Sequence, residues 1–264
     1  MDLERTVHLM EYRNLKIELR HPVATMTLHR PPRNLLDIDM IEEIADALLA
    51  IRGDSAIEIL ILRGAEGNFC EGLDLREHVK SRLQRLVQVY SRVFETLRMM
   101  DVVSIAAIEG NALGGGFELA LGCNLIVAAE DACFALPEVR HGIFPPIACI
   151  ILPRVVPRRR AMEWILTGNE ISAVQLQEDG LINRLFPPQE FEAGLSAFVA
   201  ELARNSGPVL QLAKRAQYEA YYSTYEEALY KVQNLYLRDL MELQDAEEGL
   251  RAYREGREAV WRNR

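Results

Sequence analysis

Apolar and polar positions along the chain follow two rhythms. Strand-length runs come first: ATMTLH (24–29), which stops at RPP, then IEILILR (57–63), VVSIAAI (102–108) and NLIVAA (124–129). Between them, apolar residues recur every three or four positions. That spacing predicts an amphipathic helix over 39–52 and a helix of about twenty residues over 79–100, and a shorter helix, apolar apart from Glu118, follows over 115–121. Strands that alternate with helices in this way imply an α/β fold with parallel strands and right-handed crossovers.

From about Gly207 the pattern changes. Residues 211–263 hold no strand-like run and no proline, and charged residues interleave with Leu, Tyr, Val and Trp at helical spacing. The chain is therefore divided into a core, 1–206, and a helical region, 207–264. On periodicity alone the helical region serves packing or self-association, or is a solvated helix pair. The sequence shows no internal repeat and no low-complexity linker.

The composition narrows the function. At 264 residues and 49% hydrophobic content the chain can bury a sizeable core. A net charge of −9 argues against general nucleic-acid binding, which needs a basic face to displace counterions, but leaves room for a local basic pocket. The opening MDLERTVHLMEYRN lacks the pattern of a secretory leader, and IACIIL (147–152) is too short to span a bilayer. Cys70, Cys123, Cys133 and Cys149 show no CxxC spacing and sit among apolar residues; they read as reduced core thiols of a cytoplasmic protein, with no metal site expected.

The candidate chemistry lies in IEGNALGGGFELALG (108–122). Gly114, Gly115 and Gly116 allow unusual backbone dihedrals and close approach of a ligand. A helix that starts there turns its first N–H groups outward at the positive end of its dipole, where they can hold developing negative charge. Glu118 lies three residues after Gly115, on the same helical face. Glu118 either complements the helix dipole or works as a buried, functional carboxylate; the apolar company in FELALG favours the second reading, because an unused buried charge is costly. The run is not a phosphate loop, since no Gly-Lys-Ser/Thr follows. A second acid, Glu138 in FALPEVRHG, follows twenty residues later behind Pro137, and a strand and a turn could return it to the same pocket. Two neighbouring carboxyls push their pKa values apart, so that one serves as base and the other as acid.

These segments resemble the crotonase superfamily of enoyl-CoA hydratases and isomerases. The likeness covers nearly the whole chain: TLHRPPRN, FCEGLDLREH, the long block IAAIEGNALGGGFELALGCNLIVAAEDACFALPE and the ending EEGLRAYREGREAVW. The resemblance implies a spiral of ββα turns with a C-terminal helical trimerisation region, and a homotrimer or dimer of trimers. It implies a coenzyme A thioester as substrate, with no separate cofactor. It places an oxyanion hole at the Leu73 and Gly115 amides and matches Glu118 and Glu138 to the paired glutamates of the hydratases. It also suggests Arg30, Arg33, Phe69, Glu71, Gly72, Gly114 and Phe144 as substrate or coenzyme A contacts, with Arg254 and Arg257 able to assist from a neighbouring subunit. Having both glutamates favours water addition over isomerisation.

The sequence departs from the common hydratase pattern after Glu138. GIFPPIACIILPRVV (142–156) replaces a glycine-rich segment, which implies a stiffer acyl pocket of different shape. With RPPRNLLD and GLDLREH, this makes the chain similar to the cyclohexa-1,5-diene-1-carbonyl-CoA hydratases of aromatic degradation. A linear 2-enoyl-CoA hydratase, an isomerase and a non-catalytic acyl-CoA-binding protein are the alternatives. Glu71 reads as a hydrogen-bonding or surface residue, His141 as structural or solvent-facing, Asp74 as a helix cap, and Tyr253 and Trp261 as core or interface residues.

Overall fold

A computed structural model describes residues 8–263; the opening MDLERTV, read above as no leader, lies outside the described residues. The chain forms two compact units, residues up to 100 with 104–196, and 101–103 with the residues from 197 on.

The first unit is built on a seven-stranded sheet. Its strands are β1 (His8–Glu11), β2 (Leu15–Arg20), β3 (Val23–Leu28), β4 (Ile59–Gly64), β5 (Val103–Ile108), β7 (Leu125–Ala129) and β10 (Arg184–Phe186), side by side in that order. A small sheet joins β6 (Asn111–Leu113), β8 (Cys133–Ala135) and β9 (Ile171–Ser172). The helices of this unit are α1 (Ile38–Gly53), α2 (Lys80–Met99), α3 (Gly115–Gly122), α4 (Pro146–Val155), α5 (Arg158–Thr167) and α6 (Ala173–Glu178), followed by the start of α7 (Phe191–Ala203). The pairs β3–β4, β5–β7 and β7–β10 are parallel, as the alternation predicts, whereas β1, β2 and β3 form an antiparallel meander.

One unit of structure recurs along the chain although no sequence repeat marks it. A strand of the large sheet is followed by a short parallel pairing, either an isolated bridge or a strand of the small sheet, and then by a helix. The series runs β3, Leu36, α1; then β4, Cys70 with Leu73, α2; then β5, β6, α3; then β7, β8, α4. Leu36 bridges Leu73, Cys70 bridges Ala112, and β6 pairs with β8, all in parallel, so successive turns stack. The long helices α1 and α2 each bury one stripe. On α2 the stripe is Leu86, Tyr90, Val93 and Leu97, at the 3–4 spacing of an amphipathic helix. On α1, Asp37 caps the first turn by accepting from Met40 N at 2.9 Å. β5 and α3 are buried throughout their apolar length, so the site they carry sits inside the core.

The second unit is helical, as its sequence predicts. It contains the end of α7, then α8 (Gly207–Tyr221), α9 (Tyr225–Asn234), a π-helical stretch at Leu235–Leu240 and α10 (Gln244–Glu255). The tail folds back on α10. Asp245 accepts from the Arg262 and Asn263 N–H groups at 2.8 and 3.0 Å, and Glu248 accepts from Arg251, Arg257 and Val260 N. Trp261 donates to the Arg204 carbonyl at 2.6 Å. Among the described residues no helix is long and apolar enough to cross a membrane.

Candidate active site

The Gly72–Leu73 and Gly114–Gly115 segments approach each other closely. Gly72 takes φ +99°, a conformation open to glycine. The residues flanking Leu73 are tied down: Leu36 N donates to the Gly72 carbonyl at 2.9 Å and Asp74 N donates to the Leu36 carbonyl at 2.8 Å. On the facing segment Gly114 N donates to the Ala135 carbonyl at 2.8 Å, and Glu118 N to the Gly114 carbonyl at 2.9 Å. The Leu73 and Gly115 N–H groups themselves meet no acceptor among the described residues. A Cβ placed on Gly115 would stand 3.2 Å from Leu73 N, and one placed on Gly72 would stand 3.3 Å from Gly115 N. An oxygen between the two amides could accept from both, the arrangement that stabilises an oxyanion.

Glu118, in the first turn of α3, is 1% exposed. Its Oε1 accepts from Ile147 N at 2.7 Å and Ala148 N at 2.9 Å, the open amides at the start of α4. Its Oε2 accepts from the Tyr90 hydroxyl at 2.9 Å. Burial pushes this carboxyl up to about 7 and the nearby Glu138 adds to the rise, while the Ala148 amide, the Tyr90 hydroxyl and the Ile147 amide act against it.

Glu138 sits in a single 3-10 turn, Pro137–His141, that follows β8. Its Oε2 is buried without a hydrogen-bond partner among the described residues. Burial pushes this carboxyl also up to about 7, against a bond from its own backbone N–H. Gly114, at φ +50°, makes room for it, since a Cβ there would lie 2.6 Å from Glu138 Oε1. The structure thus brings Glu118, Glu138, Leu73, Gly72, Gly114 and Gly115 together. The two acids lie near enough that Glu138 adds to the rise of the Glu118 carboxyl, and burial raises both.

The remaining expected residues lie around this centre or away from it. Glu71 accepts from Arg33 at 2.5 Å and from Asn111 at 3.1 Å, a hydrogen-bonding role as expected. Arg30 pairs with Asp37 at 2.9 Å and donates to the Leu35 carbonyl at 2.8 Å. Phe69 is buried at 1% exposure, whereas Phe144 stands 66% exposed. Asp74 caps the short helix Leu75–Glu77, and Arg76 holds its carboxyl down at about 2. His141 is exposed. Arg257 is held by Glu248 and Glu255, Arg254 donates to the Leu250 carbonyl, and Tyr253 is exposed. The expectation of four core thiols needs correction: Cys70 and Cys123 are buried, Cys133 is half-buried, and Cys149 is exposed because its position on α4 turns outward.

Sequence reasoning passed over four participants. Tyr90 reads as one more core position of the α2 stripe; its hydroxyl in an otherwise apolar row is the signal. Ile147 and Ala148 act through backbone N–H groups, which no residue type announces. Asn34 is fully buried and donates to the Asn68 carbonyl at 2.6 Å, fastening the loop that leads to Leu73.

A family model described as enoyl-CoA hydratase/isomerase matches residues 18–264. The chain is 33% identical over 239 residues to the cyclohexa-1,5-dienecarbonyl-CoA hydratase of Thauera aromatica, covering 90% of this chain and 92% of that protein. The solved structure of DspI from Pseudomonas aeruginosa superposes with a TM-score of 0.90 at 29% identity, covering 96% of this chain and 98% of that one. An enoyl-CoA hydratase structure from Bacillus anthracis gives a TM-score of 0.88 at 29% identity, covering 96% and 100%.

Proposed function

The chain belongs to the enoyl-CoA hydratase/isomerase family, and from that premise we propose that it adds water to an unsaturated coenzyme A thioester. The observation that carries this reading is the pair of buried carboxyls, Glu118 and Glu138, beside the two open amides of Leu73 and Gly115. The thioester oxygen would accept from both amides, which stabilise the enolate-like state; losing one such donor typically raises the barrier by about 2.7–4 kcal/mol. Glu118 receives three hydrogen bonds that favour its charged form and takes the proton of the attacking water. Glu138 has an oxygen without a partner, a surrounding that favours its neutral form, and delivers a proton to carbon.

For the acyl group we favour the cyclic diene thioester, on the strength of the GLDLREH segment, the FPP departure and the likeness to the Thauera aromatica enzyme. A linear 2-enoyl thioester is the second reading, supported by the likeness to the Bacillus anthracis hydratase. Arg33, whose side chain is 59% exposed, and the less exposed Arg30 are the proposed cations for the coenzyme A phosphates. Coenzyme A arrives with the substrate, so no resident cofactor is required. The four free cysteines suit a reducing compartment, the cytoplasm.

The test is hydration of a thioester panel that includes cyclohexa-1,5-diene-1-carbonyl-CoA and crotonyl-CoA. Turnover of the cyclic diene is expected, with Glu118→Gln and Glu138→Gln each losing about 10²–10⁴-fold in kcat. Preference for crotonyl-CoA would select the linear reading. Double-bond migration without hydration, tolerant of Glu118→Gln, would make the protein an isomerase. Binding without turnover of any thioester would leave a non-catalytic acyl-CoA-binding protein.

A further inference from the structure

Tyr90 meets the first turn of α3 with its hydroxyl. It comes from α2, is 4% exposed, and its ring meets Phe94 edge-on with centroids 4.9 Å apart. Its hydroxyl has two acceptors in reach, Glu118 Oε2 at 2.9 Å and the Gly115 carbonyl at 3.1 Å. A hydroxyl has one proton to donate, so it serves one of them at a time.

A carboxylate offers about four lone-pair sites. On Glu118, Oε1 spends two on Ile147 N and Ala148 N, and Oε2 spends one on Tyr90. The one site left for an incoming proton is therefore on Oε2, the oxygen that Tyr90 holds. Once protonated, that oxygen is a poorer acceptor, and the Gly115 carbonyl becomes the better partner for the tyrosine. We propose that Tyr90 is a positioning residue whose hydroxyl moves between Glu118 Oε2 and the Gly115 carbonyl as Glu118 loses and gains a proton. The device rests on the hydratase reading for its use. The attacking water gives a proton to Oε2 as its oxygen bonds to carbon, the π pair of the double bond takes a proton from Glu138 at the neighbouring carbon, and the tyrosine turns to Gly115. Return of the Glu118 proton to Glu138 through water resets both acids and brings the tyrosine back, so the proton count is conserved. The move also links the acid–base group to the residue whose N–H faces the thioester oxygen.

The titratable groups around Glu118 are Tyr90 from α2, Glu138 from its turn, Cys149 from α4 and Cys70 near Tyr90. None of these is a cation, so the hydroxyl has no charged competitor among them for holding the carboxylate.

The test compares wild type with Tyr90→Phe by ¹³C NMR of labelled glutamate, with Glu118→Gln to assign the signal. Losing the donor should raise the Glu118 titration by about one pH unit. The acidic limb of kcat/KM should move up with it, kcat should fall about 10-fold, and KM should stay within about two-fold. The Gly115 ¹³C carbonyl shift should follow the Glu118 titration in wild type and not in Tyr90→Phe. Site-specific 3-fluorotyrosine at position 90, a stronger donor on the same ring, should move the Glu118 titration down. Phe94→Leu, which disturbs packing alone, should leave it in place. An unmoved Glu118 titration in Tyr90→Phe, or an unmoved Gly115 shift in wild type, overturns the proposal. Both readings are independent of turnover, so failure of the hydratase assignment would show separately, as no hydration by wild type.

Discussion

Glu118 and Glu138 reach similar titration points by different routes. Glu118 is fully enclosed and given three donors; Glu138 is less enclosed and keeps an oxygen with none. Both carboxyls lie above the usual value of 4.5, at about 7. The folded state therefore binds more protons than the unfolded chain between these two values. Stability falls as pH rises through that window, and the cost is complete above about pH 7. Replacing Glu138 with Gln removes the charge at a carboxyl whose donor is its own backbone N–H, a bond that the amide oxygen can keep. Glu138→Gln should thus raise Tm at pH 8 by a few degrees, on a scale of about 2–4 °C per kcal/mol, and leave Tm nearly unchanged at pH 4.5. Calorimetry at the two pH values checks this, and an equal shift at both would mean that the carboxyl carries no buried charge. At this scale the sequence exposes the acids and the glycines, because a carboxylate in FELALG and a glycine triplet contradict the ordinary needs of a core helix. It hides Ile147, Ala148 and the role of Tyr90, since backbone donors have no side-chain signature and a tyrosine fits an apolar stripe.

Among the elements, α3 is the one whose placement sets the site, and a glycine sets α3. A Cβ on Gly116 would fall 2.1 Å from the Cys70 carbonyl oxygen, so the first turn of α3 rests directly on the backbone of the loop that carries Leu73. Gly116→Ala should separate the two segments, cost about 3 kcal/mol and remove hydration activity even where the fold survives. Gly53 gives the contrast. It ends α1, and a Cβ there would meet nothing within 4 Å, so Gly53→Ala should stabilise by about 0.4–1 kcal/mol with unchanged activity. Denaturant melts of the two variants decide the matter, and equal effects would refute close approach at Gly116. The long elements, α1, α2, β4, β5 and β7, are legible because their periods run for five or more residues. β6, β8, β9 and β10 are two or three residues long and hold no period to read. LKIELR carries the alternation of β2 but goes unassigned, and PIACIILPRV hides α4 behind a nearly continuous apolar run with an internal proline.

At the scale of the whole molecule the second unit raises a different question, that of its surface. Tyr225, Tyr230, Leu237 and Tyr253 are all more than 60% exposed, and Leu229, Tyr236 and Leu250 are exposed too. Single apolar residues at a surface are ordinary; a series of them along α9, the π-helical stretch and α10 is the composition of a contact face. Repulsion from a net charge of −9 opposes association, so a stable oligomer must draw on that apolar surface. The homotrimer that the family resemblance implies should then sediment at three times the 30.0 kDa chain mass, or at six times for a dimer of trimers, and should hold or tighten as salt screens the repulsion. Tyr230→Asp with Leu237→Asp places two charges on the face and should release monomers, while Leu83→Asp on α2 in the first unit should leave the mass unchanged. Sedimentation velocity across micromolar concentrations distinguishes these outcomes. A wild-type monomer at every concentration would remove self-association as the explanation for the exposed aromatics, and dissociation by salt alone would assign it to ion pairs instead.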